Sequence, residues 1–122
     1  MKYFTYTEFD SPDEVGSGKK MHPDILEMLD QARDKYDKPM RITSGYRTKE
    51  YNESLSARGY KASPNSSHLK GLAADLKCEN STDRFKLYDI LREVGFNRIG
   101  VAKTFIHVDI DKDKSPKVFW VY

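Results

Sequence analysis

The segment from Ser66 to Asp75 constrains the fold of this chain most, because it places a histidine and a carboxylate on either side of a glycine. Gly71 allows the backbone to change direction between His68 and Asp75. Residues 73–77 then alternate in polarity as a β-strand does, so Asp75 faces away from its apolar neighbours. A histidine at a turn and a carboxylate on the following strand can converge on one metal ion.

A second strand supplies the third candidate ligand. In residues 105–110, strand alternation puts His107 and Asp109 on one face and the apolar side chains on the other. Two histidines and one carboxylate leave the fourth position of a tetrahedral zinc open, which is the ligand count of a catalytic site. The sequence therefore predicts one zinc ion held by His68, Asp75 and His107. The simpler alternative is that His68 caps a turn, Asp75 forms a salt bridge and His107 pairs within the sheet.

Length and charge exclude several classes of protein. The 122 residues suffice for one domain, and we expect a single domain over residues 1–122 with an irregular arm over residues 1–20. The formal charge of +2, with 21 basic and 19 acidic residues, argues against a dedicated nucleic-acid binder. No apolar run approaches the roughly 18 residues of a membrane span, and the N-terminus lacks the apolar region of a secretory signal. We expect a monomer without nucleic-acid or membrane partners, and with Cys78 in the core.

The remaining pattern predicts an α+β fold. Strands are predicted at residues 41–44, 73–77, 98–101, 104–110 and 117–121, with residues 111–116 as a hairpin loop between the last two. Three helices are predicted. The first spans residues 23–36 after His22, which is a surface or capping residue, and the second spans residues 48–58 and is capped by Thr48. The third is capped by Ser81 or Thr82 and has an apolar stripe of Phe85, Tyr88, Leu91 and Val94. We expect an antiparallel sheet with helices on one face and the zinc site on the other.

Three motifs in order carry a resemblance to a known family: Ser44-Gly45-Tyr46-Arg47-Thr48, Ser66-x-His68-x-x-Gly71-x-Ala73-x-Asp75 and Phe105-Ile106-His107-Val108-Asp109. With them the chain resembles the zinc D-Ala-D-Ala carboxypeptidase family over nearly its whole length. The resemblance implies the hedgehog/DD-peptidase fold and the same three zinc ligands. It also implies that Arg47 binds substrate or stabilises an oxyanion, and that Ser66 contacts substrate or supports the site. The alternative for Arg47 is a structural salt bridge.

One position departs from the family pattern. Many relatives carry an acid three residues before the last histidine, where this chain has Thr104. Asp109 is then the nearest acid that could activate a water molecule, because it shares the strand face of His107. The alternative is that Asp109 only orients the His107 ring.

The favoured function is a zinc metallopeptidase that hydrolyses peptidoglycan stem peptides by metal-activated water, as a DD-carboxypeptidase or an endopeptidase. Neither a secretory signal nor a wall-binding repeat is recognised in the sequence. This agrees with a phage endolysin or a virion-associated enzyme, which we expect to stay in the cytoplasm until it is released to act on the cell wall. A domain from a longer bacterial protein fits equally. The competing hypothesis is a non-catalytic zinc-binding interaction module, because the hedgehog signalling domain resembles this fold and acts by binding partners.

Overall fold

Three α-helices and one five-stranded sheet make up the fold, as the computed structural model of residues 1–122 shows. The helices are α1 (Pro23–Tyr36), α2 (Lys49–Ala57) and α3 (Ser81–Glu93). The strands are β1 (Ile42–Ser44), β2 (Ala73–Lys77), β3 (Arg98–Val101), β4 (Phe105–Asp109) and β5 (Val118–Val121). The predicted α+β class is confirmed. None of the helices is both long and apolar enough to cross a membrane.

The strands lie in the order β1-β2-β4-β3-β5. The pairs β1–β2, β2–β4 and β3–β4 are antiparallel, whereas β5 runs parallel to β3. The predicted antiparallel sheet therefore holds for β1 to β4 and not for β5, and the predicted hairpin between the last two strands is wrong. β4 already pairs with β2 on one edge and β3 on the other, so β5 cannot pair with β4, and the connection after β4 leads to the outer edge of β3 instead. Arg98 on β3 holds this connection by donating a hydrogen bond from Nη1 to the Ser115 carbonyl at 2.6 Å.

The apolar core lies on one face of the sheet, against α1 and α3. Alternation along β2 and β4 produces this division: the apolar positions of both strands are fully buried in the core, while Asp75, His107 and Asp109 belong to the other face. Cys78, just after β2, is buried in the same core, as predicted. The core residues of the two strands and of α1 include Ala74, Leu76, Ile106, Val108, Ile25, Leu29 and Ala32.

The start and the buried stripe of α3 differ from the prediction. Asn80 caps the helix instead of Ser81 or Thr82, because its side-chain oxygen accepts a hydrogen bond from the Asp83 N–H at 2.9 Å. Phe85 is 79% exposed and does not belong to the core. Tyr88, Leu91 and Val94 of the predicted stripe do pack in or against the core. Leu87 and Ile90 are buried beside them, so the stripe runs through Leu87, Ile90, Leu91 and the partly buried Val94. These four positions already complete the helical i, i+3, i+4, i+7 repeat, which leaves Phe85 outside it.

The N-terminal arm fixes the turn that follows β1. Its 3₁₀ turns at Tyr6–Phe9 and Ser17–Lys20 join irregular backbone, and Phe9 is fully buried in the core. Tyr46 donates its backbone N–H to the Phe9 carbonyl at 2.9 Å. A Cβ at Gly45 would lie 2.7 Å from the Phe9 Cα, so only glycine permits this close approach. The arm thus holds the segment that leads to Arg47 in one place.

Candidate metal centre and active site

His68 is presented by the 3₁₀ turn Ser67–Lys70, which the buried Ser66 caps. The Ser66 hydroxyl accepts a hydrogen bond from the His68 N–H at 3.2 Å. The ring donates its Nδ1–H to the Gly45 carbonyl at 2.8 Å, which leaves Nε2 as the free ring nitrogen. Gly71 ends the turn with φ of +69°, and a Cβ there would lie 2.3 Å from the Lys20 carbonyl oxygen. The glycine predicted to bend the chain is therefore required by both conformation and space.

Asp75 and His107 face each other directly across the antiparallel pair β2–β4. Asp75 Oδ1 lies 2.9 Å from His107 Nδ1 and 3.3 Å from His68 Nε2. One ligand atom from each of the three residues lies within 4.8 Å of the others. The set of two imidazoles and one carboxylate, all buried, has the donor chemistry and spacing that suit a metal ion such as zinc. The structure therefore brings together the three residues that the sequence predicts as ligands.

The protonation states of these groups favour metal binding at two of the three positions. Burial lowers the pKa of His68, so its ring is held in the neutral form that binds metals. Burial alone would raise the pKa of Asp75, but its contacts with His68 and His107 outweigh burial and lower that pKa. The pKa of His107 is raised, because its hydrogen bonds to Asp109 and Asp75 outweigh burial. A metal ion therefore competes with a proton at His107 more than it would at an unperturbed histidine.

Asp109 lies at the opposite nitrogen of the His107 ring from Asp75. Its Oδ2 accepts a hydrogen bond from His107 Nε2 at 2.8 Å, and its Oδ1 accepts one from Arg98 Nε at 2.6 Å. The Asp111 backbone N–H also donates to Oδ1 at 3.2 Å. Although burial opposes ionisation, these partners lower the pKa of Asp109. Both carboxylate oxygens are thus engaged, and the carboxylate remains charged at neutral pH.

Arg47 extends from the turn between β1 and α2 toward the same centre. Its Nε donates to Ser44 Oγ at 3.0 Å and its Nη1 donates to Asn52 Oδ1 at 3.3 Å. The remaining nitrogen, Nη2, lies 3.5 Å from Asp75 Oδ2. The side chain is only 13% exposed. Two hydrogen bonds therefore fix the plane of a nearly buried guanidinium beside the candidate ligands.

A cavity of about 260 Å³ opens over these residues. Four cations, two carboxylates, two histidines, three aromatic residues and three serines line it: Arg47, Lys61, Arg98, Lys114, Asp75, Asp109, His68, His107, Phe105, Trp120, Tyr122, Ser63, Ser66 and Ser67. Thr104, at the position where relatives carry an acid, is exposed and does not line the cavity. A hollow of about 370 Å³ beside α3 is larger, but no histidine or acid lines it.

The aromatic side of the cavity is a feature that the motifs did not reveal. Strand register places Asp75, His107, Gly100 and Trp120 in one row across four strands. The Trp120 indole lies across Gly100, where a Cβ would come within 2.3 Å of Nε1, and its ring centroid is 5.4 Å from that of His107. In the next row, the Phe105 and Tyr122 rings are 5.1 Å apart. The spacing of Trp120 and Tyr122 indicates that they share one face of a strand. It does not indicate that this strand pairs with β3, which is what brings both rings to the cavity.

Comparisons with known proteins agree with this fold and donor set. The profile of the peptidase M15 family matches residues 2–109. The chain therefore belongs to the peptidase M15 family, which confirms the resemblance to zinc D-Ala-D-Ala carboxypeptidases. Its structure is similar to the crystal structure of the Serratia marcescens L-Ala D-Glu endopeptidase ChiX, with a TM-score of 0.62 and 17% identity over 76% of this chain and 82% of that chain. At this identity the similarity concerns the fold. No curated protein sequence gives a significant match.

Proposed function

We propose that this chain is a zinc-dependent peptidase that cleaves a peptide bond in the stem peptides of peptidoglycan. The observation that carries the proposal is the convergence of His68, Asp75 and His107, whose ligand atoms lie within 4.8 Å of one another beside an open cavity. Membership of the peptidase M15 family supports the reaction class. The solved relative, an L-Ala D-Glu endopeptidase, supports the type of substrate.

The three residues would hold one zinc ion through His68 Nε2, His107 Nδ1 and an Asp75 oxygen. The other nitrogen of each ring is already committed, to the Gly45 carbonyl for His68 and to Asp109 for His107. When bound, zinc supplies Lewis acidity that polarises the scissile carbonyl and allows water to attack at neutral pH. The protein's own contribution is to fix both rings before the metal arrives, so that little ordering remains to be done on binding.

Arg47 is proposed to stabilise negative charge on the substrate. A planar guanidinium, fixed by Ser44 and Asn52 and almost excluded from water, can pair with the oxyanion that develops during attack or with a substrate carboxylate. Its hydrogen bonds leave Nη2 directed at the centre. Because the guanidinium is held in advance, it would not need to reorganise during the reaction.

Asp109 is proposed to orient His107. It engages Nε2 of the ring, whereas the nitrogen that would bind the metal, Nδ1, faces Asp75. Its second oxygen is taken by Arg98 and by the Asp111 backbone. These contacts favour the orienting role over proton transfer, and a carboxylate in this position also raises the basicity of a histidine ligand. Ser66, whose hydroxyl caps the turn of His68, is proposed to support that ligand.

The test is digestion of purified cell-wall sacculi by zinc-loaded protein, followed by mass spectrometry of the released muropeptides. Loss of a terminal D-Ala would identify a carboxypeptidase, and a cut inside the stem would identify an endopeptidase. Chelation should stop the reaction and added zinc should restore it. Asp89→Asn, a change at an exposed acid of α3 that does not line the cavity, serves as the matched control for acid substitutions. A protein that retains zinc and leaves the wall intact would instead be an interaction module.

A further inference from the structure

The cavity carries more positive charge than its own residues neutralise. Four cations and two carboxylates line it. Asp109 is paired with Arg98 at 2.6 Å, and Asp75 lies against both histidines and Arg47. Lys61 and Lys114 therefore have no carboxylate of the cavity wall to balance them, and a metal cation would increase the surplus. A cavity with this charge attracts an anionic ligand.

Lys114 is held in place, unlike a lysine that extends freely into solvent. Its side chain is 30% exposed, and its ammonium group donates a hydrogen bond to Ser67 Oγ at 2.9 Å. The Ser67 hydroxyl in turn donates to Asp111 Oδ2 at 2.7 Å. Since Ser67 directly precedes His68, this network anchors the ammonium group to the turn that carries a metal ligand.

Asp111 does not neutralise Lys114 completely. Its nearest oxygen lies 3.8 Å from the Lys114 ammonium nitrogen, whereas the Lys70 ammonium group contacts both oxygens at 3.1 and 3.0 Å. An ammonium group has three N–H donors, and Ser67 accepts from one of them. Lys114 therefore retains donors and charge for a ligand in the cavity. Lys61, exposed at the rim, adds a second cation.

We propose that Lys114 is a specificity-determining residue that binds a carboxylate of the substrate near the scissile bond. This inference rests on the proposed peptidase function and narrows the substrates to peptides that carry an acidic group at that subsite. The carboxylate has two possible sources in a stem peptide: the α-carboxyl group of D-Glu and the C-terminus. Arg47, on the separate turn before α2, remains available for the oxyanion.

The test uses one synthetic stem peptide that contains L-Ala and D-Glu, in three forms. The first has both carboxylates free, the second has the D-Glu α-carboxyl group as an amide, and the third has only the C-terminus as an amide. For the zinc-loaded wild type, KM should rise about tenfold for the form that lacks the recognised carboxylate, since a hydrogen bond to a charged group contributes about that factor. The amide form that shows the rise identifies the source.

Lys114→Met should raise KM for the free form about tenfold and remove the preference, while kcat changes less. Lys114→Arg should keep most of the preference because it keeps the charge. Lys112→Met, at an exposed lysine of the same connection that does not line the cavity, is the matched control and should behave as wild type. Thermal unfolding checks that each variant folds. If Lys114→Met does not fold, Lys114→Gln, which keeps a hydrogen-bond donor for Ser67 and loses the charge, takes its place in the same comparison.

Equal KM values of the wild type for all three peptides would overturn the inference and leave the peptidase function standing. A Lys114→Met protein that folds and keeps the full preference would also overturn it. Failure of the zinc-loaded wild type to cleave any of the three peptides or sacculi would instead overturn the proposed function, and the inference with it.

Discussion

The two faces of the sheet are held together by different forces, and β2 shows the contrast within two neighbouring residues. Leu76 is fully buried among the side chains of the apolar core. Asp75, one residue earlier, is also buried, but its neighbours are His68, His107 and Arg47. Burial of apolar surface stabilises the first face. On the second face, charged groups require partners to remain buried, so that face is organised by a polar network whose His68, Asp75 and His107 are placed to hold a metal ion.

The largest loss of activity should come from a change on the polar face, the sheet face that carries Asp75, His107 and Asp109. Asp75→Asn removes a ligand charge, and we expect activity on stem peptides to fall by about 10³ or more, because the metal contributes several kcal/mol to transition-state stabilisation. The variant should remain folded, since amide and carboxylate have similar shapes. The measurement is the rate of muropeptide release at saturating zinc, with Asp89→Asn as the control. Activity within tenfold of wild type would show that the polar face does not house the reaction.

Leu76→Ala should have the opposite effect, a loss of stability with little change in zinc binding or activity. It leaves a cavity in the core, and we expect the free energy of unfolding to fall by about 2–5 kcal/mol. Zinc stoichiometry and kcat of the folded fraction should change little, because Leu76 lies on the face away from the ligands. Urea denaturation with and without zinc measures the first quantity, and zinc analysis of the folded protein measures the second. A selective loss of zinc without loss of stability would break the comparison between the faces.

Asp109→Asn tests how far the network on the polar face supports the metal. Loss of the charged partner at His107 Nε2 should weaken zinc affinity by about 10- to 100-fold. Competition with a chromogenic chelator measures the affinity, and Asp89→Asn is again the control. Activity measured at saturating zinc separates the two roles of Asp109. Recovery there indicates an orienting residue, whereas a persistent loss of about 10² or more, with zinc bound, indicates a group that activates water.

The smallest effect should come from Asp111, a buried acid that braces the His68 turn through Ser67. Burial opposes its charge, but Ser67 and Lys70 lower its pKa. The stability that it contributes is therefore present above the unfolded pKa of about 3.9 and is lost as pH falls through the lower folded value. Asp111→Asn should lower stability at pH 7 by about 1 kcal/mol and make the acid-induced decline shallower than in wild type. Curves of stability against pH that run parallel for Asp111→Asn and wild type would contradict this prediction.

The sequence predicts which side chains lie on each face of the sheet, but it does not predict the order of the strands. Alternation in residues 73–77 and 105–110 is enough to separate Leu76 from Asp75, because side-chain period in a strand is a local property. The order of the strands is not local. It depends on which edges remain free: both edges of β4 are occupied, so β5 cannot pair with β4 and pairs with β3 instead. For this reason the hairpin prediction failed and the contribution of Trp120 to the cavity was missed.

The site followed the same rule. His68, Asp75 and His107 were predictable because each lies in a motif whose spacing has a chemical meaning. Lys114 and Asp111 belong to a connection of mixed charge between β4 and β5. In such a segment, neither spacing nor alternation shows which charged side chains are buried and which are exposed to solvent. Their roles became visible only when the fold brought this connection against the Ser67–Lys70 turn.

Zinc stoichiometry is the most direct test of the central claim that the polar face is a metal centre. Native mass spectrometry of wild-type protein, equilibrated with zinc at pH 7 and freed of excess metal, should show one zinc per chain. Asp75→Asn under the same conditions should show a large loss of bound zinc, and Asp89→Asn should match wild type. A wild-type chain that binds no zinc, or an Asp75→Asn chain that binds it equally well, would contradict the account.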